Sequence, residues 1–193
     1  IFHKLNFTRT VGGKEWLRRF FSSPYGDLKR ILGTQKVIRT LAMHIDDWPK
    51  DISNGTLLVM DKFLDYSLDS IPGSLTILNT YTYKWLHAED YRMVKYSVGH
   101  FADFFRGIKK LADMFSETDL PQSFKIYIER IEQLIKEPVL QKLAAVKKKD
   151  ALQPKDYLYF GYHLRGRYRT NTLELIDIFG RLDAWYSMAM AHK

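Results

Sequence analysis

The chain has 193 residues, of which 46% are hydrophobic and 15% aromatic, and 30 Lys and Arg outnumber 22 Asp and Glu to give a formal net charge of +8. This length and apolar content predict a well-packed domain rather than a disordered chain, and the positive charge favours contact with nucleic acid or an anionic surface. The absence of cysteine excludes disulfides, thiolate metal sites and a catalytic Cys, and no apolar run reaches the roughly 20 residues of a membrane-spanning helix.

The first part of the chain is predicted to form short helices separated by turns. Four helices are predicted, at residues 14–21, 28–41, 56–71 and 75–86. Asp27 is placed to cap the second of them, and Pro, Asn and Gly mark a loop at 46–55. Residues 76–83 are rich in β-branched and aromatic side chains, so an extended strand is the alternative there.

The clearest element begins near Asp90, where apolar residues recur at spacings of three and four over about seven helical turns. The residues of this heptad seam are Tyr91, Val94, Val98, Phe101, Phe105, Ile108, Ala112 and Phe115. The pattern returns at 124–135, and Pro138 interrupts it before 139–146. We therefore predict an antiparallel helical hairpin, in which a partner helix covers the seam.

The last predicted helix begins near Thr170, where Asn171 and Thr172 also offer capping side chains. Its apolar face consists of Leu175, Phe179, Leu182, Tyr186 and Ala189. With few turn residues and helical spacing in most segments, the sequence predicts an all-α fold.

Positive charge is concentrated between the predicted hairpin and the last helix. The residues are Lys147, Lys148, Lys149, Lys155, Arg165, Arg167 and Arg169. This basic cluster is a candidate for DNA phosphate contacts, and a solvated surface is the alternative. Aromatic residues at 157–168 suit base stacking or, in the preferred interpretation, a protein core. For Arg18 and Arg19 an ion pair is the interpretation and a DNA contact the alternative.

The sequence offers no complete pattern for catalysis or for a metal site. Gly13 and Lys14 do not belong to a phosphate-binding loop, because other essential positions of that pattern do not match. Asp61, Asp65 and Asp69 share a predicted helical face, which we interpret as solvated, with a metal or acid–base site as the alternative. The six histidines lack zinc-ligand spacing. The chain itself is therefore not expected to be an enzyme.

Two segments carry a more specific pattern. Residues 10–38 follow the form T-x-x-G-x-x-x-L-R-x-W-L-x-x-P-L-x-D-x-x-x-I-x-x-R-Q-x-x-V, and the agreeing residues are Thr10, Gly13, Leu17, Arg18, Phe20, Phe21, Pro24, Asp27, Ile31, Gln35 and Ile38. Tyr25 and Thr34 depart from it. Residues 173–191 follow L-x-x-L-D-x-L-x-S-x-A, with Asp183, Ser187 and Ala191 on matching positions. Both segments resemble the core domain of the MutS family of DNA mismatch repair ATPases.

The resemblance implies a MutS core/lever-type domain of a short, clamp-poor relative. Its compact core would come from about residues 1–89 and 170–193, and a long helical hairpin extension from about 90–169. An ATPase domain is expected after residue 193. No cofactor is expected within this chain, whereas ATP and Mg²⁺ are expected in the ATPase domain of the parent protein.

The implied function is a non-catalytic connector that couples the nucleotide state of the ATPase domain to DNA binding, in mismatch or DNA-structure recognition. The implied partners are DNA, the ATPase domain of the same chain and, in the parent protein, a second copy in a homodimer. No membrane contact is expected, and the location is cytoplasmic. The alternative is a helical adaptor or scaffold whose basic face meets a protein partner or an anionic surface.

Overall fold

A computed structural model describes residues 2–68, 70–116, 119–147 and 152–192, and in these ranges the chain forms ten α-helices and no strand. The helices are α1 (Phe2–Leu5), α2 (Val11–Ser22), α3 (Leu28–Met43), α4 (Asn54–Asp65), α5 (Ile77–Leu86), α6 (Ala88–Phe115), α7 (Gln122–Ile135), α8 (Pro138–Ala144), α9 (Pro154–Arg165) and α10 (Arg169–His192). The predicted all-α class is confirmed for the described residues. None of these helices is long and apolar enough to cross a membrane.

Short polar side chains set the starts of several helices. Thr10 caps α2, Asp27 caps α3 and Ser53 caps α4, and each accepts hydrogen bonds from N–H groups of the first turn. The Asp27 cap confirms the prediction. Thr76 caps α5 in the same way, so residues 76–83, for which a strand was the alternative, enter a helix.

Helix α4 ends earlier than predicted, at Asp65 rather than residue 71. Tyr66 adopts an extended backbone, and the guanidinium of Arg165 donates to the carbonyl oxygens of Phe63 and Tyr66 at 2.8 and 2.6 Å. These bonds satisfy carbonyls that the end of a helix leaves without a partner. The side chain that caps this end comes from a distant helix, α9.

The heptad seam of α6 is buried along its whole length, as predicted. With 28 residues, α6 is the longest helix of the described chain. Helices α4, α5, α7, α8 and α9 all pack against it. Pro138 begins α8 after α7 has ended at Ile135, so the predicted interruption is also present.

Residues 90–169 are expected to form an extension from the compact core, but the described part of this segment packs into the core instead. The ring of Phe104 in α6 lies 6.3 Å from that of Phe179 in α10, and Phe124 in α7 lies 5.7 Å from Trp185. These contacts join the middle of the chain to its last helix within one hydrophobic cluster. The reason is that α6 also buries residues outside the seam, so helices from both halves of the chain surround it.

Candidate functional site

Asp183 on α10 anchors the segment that precedes α2. Its carboxylate accepts hydrogen bonds from the backbone N–H groups of Arg9 and Thr10 at 3.0 and 2.9 Å and from the Thr10 hydroxyl at 2.7 Å. Thr10 also caps α2. The side chain of Asp183 is fully buried, and the three donor groups supply the hydrogen bonds that a buried carboxylate needs.

One turn later on α10, Ser187 continues the same attachment. Its hydroxyl oxygen accepts from the N–H of Phe7 at 2.7 Å and donates to the carbonyl oxygen of Leu5 at 2.8 Å. Residues 5–10 are therefore fixed along α10 by side chains spaced one helical turn apart. We call this set the terminal junction; it consists of Leu5, Phe7, Arg9, Thr10, Gly13, Asp183 and Ser187.

Two glycines let α2 approach α10 closely enough for the terminal junction to form. A Cβ atom at Gly13 would overlap the carboxylate of Asp183, and a Cβ atom at Gly180 would lie 3.2 Å from the backbone of Gly12. Glycine lacks this atom and allows a close approach of two backbones. A larger residue at position 13 would displace the carboxylate from its donors.

The carboxylate of Asp183 has an unusual acidity. Burial raises its pKa from the ordinary 3.8 to about 6, because desolvation disfavours the charged form. The hydrogen bonds from Arg9 and Thr10 and the charge of Arg9 act in the opposite direction. The terminal junction thus contains a buried group that titrates just below neutral pH.

Two members of the predicted basic cluster are engaged at the end of α4. Arg165 donates to the carbonyls of Phe63 and Tyr66, and burial lowers the pKa of its guanidinium. Arg169 forms an ion pair with Asp65, with 2.7 Å between Nη2 and Oδ1. Both arginines therefore connect α4 to the region between α9 and α10.

The other described members of the basic cluster lie at the surface. The exposed residues are Lys147, Lys155 and Arg167, whereas Lys148 and Lys149 lie outside the described residues. The guanidinium of Arg167 is 3.6 Å from the carboxylate of Glu137, and its side chain is 71% exposed. The structure thus divides the described cluster into two structural arginines and three exposed cations, and DNA binding by the latter stays a prediction.

The aromatic residues near the basic cluster belong mainly to the core. Tyr157, Phe160 and Tyr168 are buried, which confirms the core interpretation for these three. Tyr162 is 45% exposed. Of the predicted aspartate series, Asp69 lies outside the described residues.

Asp61 and Asp65 occupy the exposed side of α4. The pKa of Asp61 is raised by partial burial and then by the charge of Asp65. Asp65 is paired with Arg169. Among the described residues, no group of three or more His, Cys, Asp or Glu side chains is arranged to hold a metal ion.

A concave surface that the sequence did not indicate lies between α2, α3, α7 and α10. We call it the basic cleft; its volume is about 420 Å³, and its main lining residues are Phe20, Tyr25, Lys29, Arg30, Gln122, Ser123, Ile126, Tyr127, Arg181 and Trp185. No local pattern marks Arg181 as a site residue, because its neighbours in the cleft come from distant parts of the chain. The sequence feature that could have indicated this surface is the grouping of aromatic and basic residues at 16–30, of which Phe20, Tyr25, Lys29 and Arg30 line the cleft.

Among the described residues, Arg18 and Arg19 have aromatic neighbours and do not form the predicted ion pair. The guanidinium of Arg18 is 5.5 Å from the ring centroid of Phe2, and that of Arg19 is 4.7 Å from the ring centroid of Trp16. Cations at these distances from an aromatic face are attracted by its quadrupole. Arg19 therefore lies near the basic cleft and forms no ion pair within the described chain.

No protein-family model, curated protein or solved structure matches this chain. Its function is therefore inferred from its own residues and their contacts. Two features are candidates for a functional role. The terminal junction is buried and titratable, and the basic cleft is open and positively charged.

Proposed function

We propose that the chain is the helical connector of a MutS-type DNA-repair ATPase and couples nucleotide state to DNA binding without a catalytic role. The observation that carries this proposal is the terminal junction. Thr10 and Gly13 belong to the first segment that resembles the family, and Asp183 belongs to the second. Positions that one family pattern specifies far apart in sequence here form a single hydrogen-bonded unit, which supports a shared structural origin.

The packing of α10 suits a connector. This helix has 24 residues and packs against α1, α2, α3, α7 and α9. Its Phe179 also contacts Phe104 of the central helix α6. Because protein cores are close-packed, a displacement of α10 has to be accommodated by these neighbours rather than absorbed locally.

In this proposal the nucleotide and the DNA bind to different parts of the parent protein. ATP and Mg²⁺ bind to the ATPase domain of the parent protein, which acts as a homodimer. DNA phosphates are contacted by the exposed cations of the basic cluster, Lys147, Lys155 and Arg167. The charge of +8 supports such a contact.

The test measures coupling in the full-length protein that contains this chain. DNA affinity is measured with ADP and with ATP, for the natural protein and for Asp183→Asn. An allosteric coupling typically changes affinity about 5- to 150-fold, and we expect Asp183→Asn to reduce that factor to about threefold or less while ATP hydrolysis remains. Asp113→Asn is the matched control, because Asp113 lies on the surface of α6 and pairs with Lys109.

Two outcomes would contradict the connector. One is a DNA affinity that does not depend on nucleotide in the natural protein. The other is a folded Asp183→Asn protein whose coupling equals that of the natural protein.

A helical adaptor is the second candidate, and the exposed apolar surface of α5 favours it. Ile77, Leu78 and Trp85 are 78%, 75% and 81% exposed. Grouped apolar side chains in water often mark a contact with another protein. The two candidates differ in DNA binding, because an adaptor requires no salt-dependent affinity of the full-length protein for DNA.

A further inference from the structure

The basic cleft combines several cations with no acidic lining residue in the described chain. Lys29 and Arg30 come from α3 and Arg181 from α10. None of the three has an ion-pair partner among the described residues. Burial lowers the pKa of Arg181; of the smaller effects, Tyr25 raises it and the charge of Arg19 lowers it. Grouped cations without a counter-charge repel each other, and a bound anion would relieve that repulsion.

Arg181 is held in place by aromatic side chains and forms no ion pair with the described residues. Its guanidinium lies 3.8 Å from the ring centroid of Trp16 and 4.8 Å from that of Tyr127, and it donates to the Tyr127 hydroxyl. Its Nε is buried and has no acceptor in the described residues. Asp177, one turn earlier on α10, accepts from the indole N–H of Trp16 at 3.0 Å. The nearby carboxylate thus fixes the aromatic ring beneath the guanidinium.

The other walls of the basic cleft suit a ligand with a charged end and a planar end. Helix α7 begins at Gln122 beside the cations, and no side chain of the described residues caps it. Its first-turn N–H groups and the positive end of its dipole would stabilise an anion bound in the cleft. Tyr25, whose ring lies 4.4 Å from the Arg30 guanidinium, and Ile126, which is 54% exposed, provide apolar surface.

We propose that the basic cleft binds a small aromatic phosphomonoester. Its phosphate oxygens would accept hydrogen bonds from Arg181 and Arg30, and its ring would lie against Tyr25 and Ile126. Guanidinium groups match the geometry of phosphate oxygens and remain charged at all physiological pH values. A volume of about 420 Å³ lies within the range of roughly 300 to 1,000 Å³ found for small-molecule sites. This inference does not depend on the proposed function.

The test uses the full chain and phenyl phosphate as the probe, with binding measured by isothermal titration calorimetry. We expect one phenyl phosphate per chain and an affinity about tenfold higher than that of inorganic phosphate, because the ring buries apolar surface. The double variant Lys29→Gln/Arg30→Gln should weaken binding about tenfold or more, because charge-assisted hydrogen bonds are lost. Both residues are exposed on α3, so the fold should persist.

Two further variants complete the experiment. Arg181→Gln should abolish saturable binding, and thermal melting determines whether it remains folded. Arg92→Gln is the matched control, because Arg92 is 73% exposed on α6 and pairs with Glu89; its affinity should be unchanged. No saturable binding to the natural chain, or equal weakening by Arg92→Gln and the double variant, would overturn the proposal. Equal affinities for phenyl phosphate and inorganic phosphate would overturn the aromatic ester as the ligand class.

Discussion

The side chain of Asp183 fits its surroundings through both its shape and its charge. All groups that bond to it are donors: the N–H groups of Arg9 and Thr10 and the hydroxyl of Thr10. An amide of the same size would place a second donor against one of them. Oδ2 accepts from all three groups and Oδ1 only from the N–H of Arg9, at 3.1 Å, so an Asn at this position would set its amide NH2 against that N–H.

Replacing Asp183 with Asn should destabilise the fold by about 1 to 3 kcal/mol, because the new amide NH2 would be buried against the N–H of Arg9 without an acceptor. Urea denaturation gives this difference in the free energy of unfolding. Asp113→Asn, on the solvent side of α6, should change it by less than about 0.5 kcal/mol. Equal stability of the two variants would show that the terminal junction contributes little to folding.

The raised pKa of Asp183 also predicts how stability varies with pH. The folded state, with a pKa of about 6, binds this proton more tightly than the unfolded state, whose carboxyl has the ordinary 3.8. The resulting stabilisation is fully present below the unfolded pKa and is lost as the pH rises through the folded pKa. Between about pH 5 and 7.5 the natural chain should lose roughly 1 kcal/mol relative to Asp183→Asn. Parallel pH profiles of the two proteins would contradict the raised pKa.

At the scale of single elements, α6 shows which buried positions a sequence pattern predicts and which it does not. Spacings of three and four predict the buried heptad seam because they depend on helix geometry alone. They do not predict that Phe104 and Leu111 are also buried, since those positions depend on which helices surround α6. The Asp27 cap is predictable because it acts on the next residues. The bonds from Arg165 to the end of α4 are not, because about a hundred residues separate them.

Removal of a ring from the heptad seam should destabilise the helix packing strongly. Phe101 and Phe105 are both 0% exposed, and truncation of a buried Phe to Ala costs about 3 to 5 kcal/mol. Phe101→Ala and Phe105→Ala should therefore lower the melting temperature markedly. Tyr96→Ala on the same helix is the control, because Tyr96 is 58% exposed. An unchanged melting curve for either Phe variant would contradict burial of the seam.

At the scale of the whole molecule, the sequence located positive charge correctly but did not distinguish its roles. Lys147, Lys155 and Arg167 are exposed, whereas Arg165 and Arg169 hold the end of α4. The difference arises from tertiary contacts that local charge density does not report. The basic cleft escaped sequence reasoning for the same reason, since Arg181 of α10 meets Lys29 and Arg30 of α3 only in the folded chain.

This division predicts different results for the two kinds of cation. In the full-length protein, changing Lys147, Lys155 and Arg167 to Gln should reduce the slope of log affinity for DNA against log salt by about 0.9 per lost phosphate contact. Arg165→Gln should instead lower stability, because it removes bonds to helix-end carbonyls. Fluorescence anisotropy at several salt concentrations and thermal melting separate the effects. Equal slopes for the natural protein and the triple variant would leave these residues as a solvated surface.

The terminal junction also has a consequence for the order in which the protein is made. Thr10 and Asp183 are 173 positions apart, so the ribosome releases α2 long before α10, against which it packs. Until then the apolar face around Leu17, which is fully buried in the finished fold, has no surface to cover it. Contacts of such large sequence separation form slowly, and exposed apolar surface is prone to aggregation in the meantime. Helix α2 is therefore among the last of these helices to be protected, and its survival during translation depends on how quickly α10 follows.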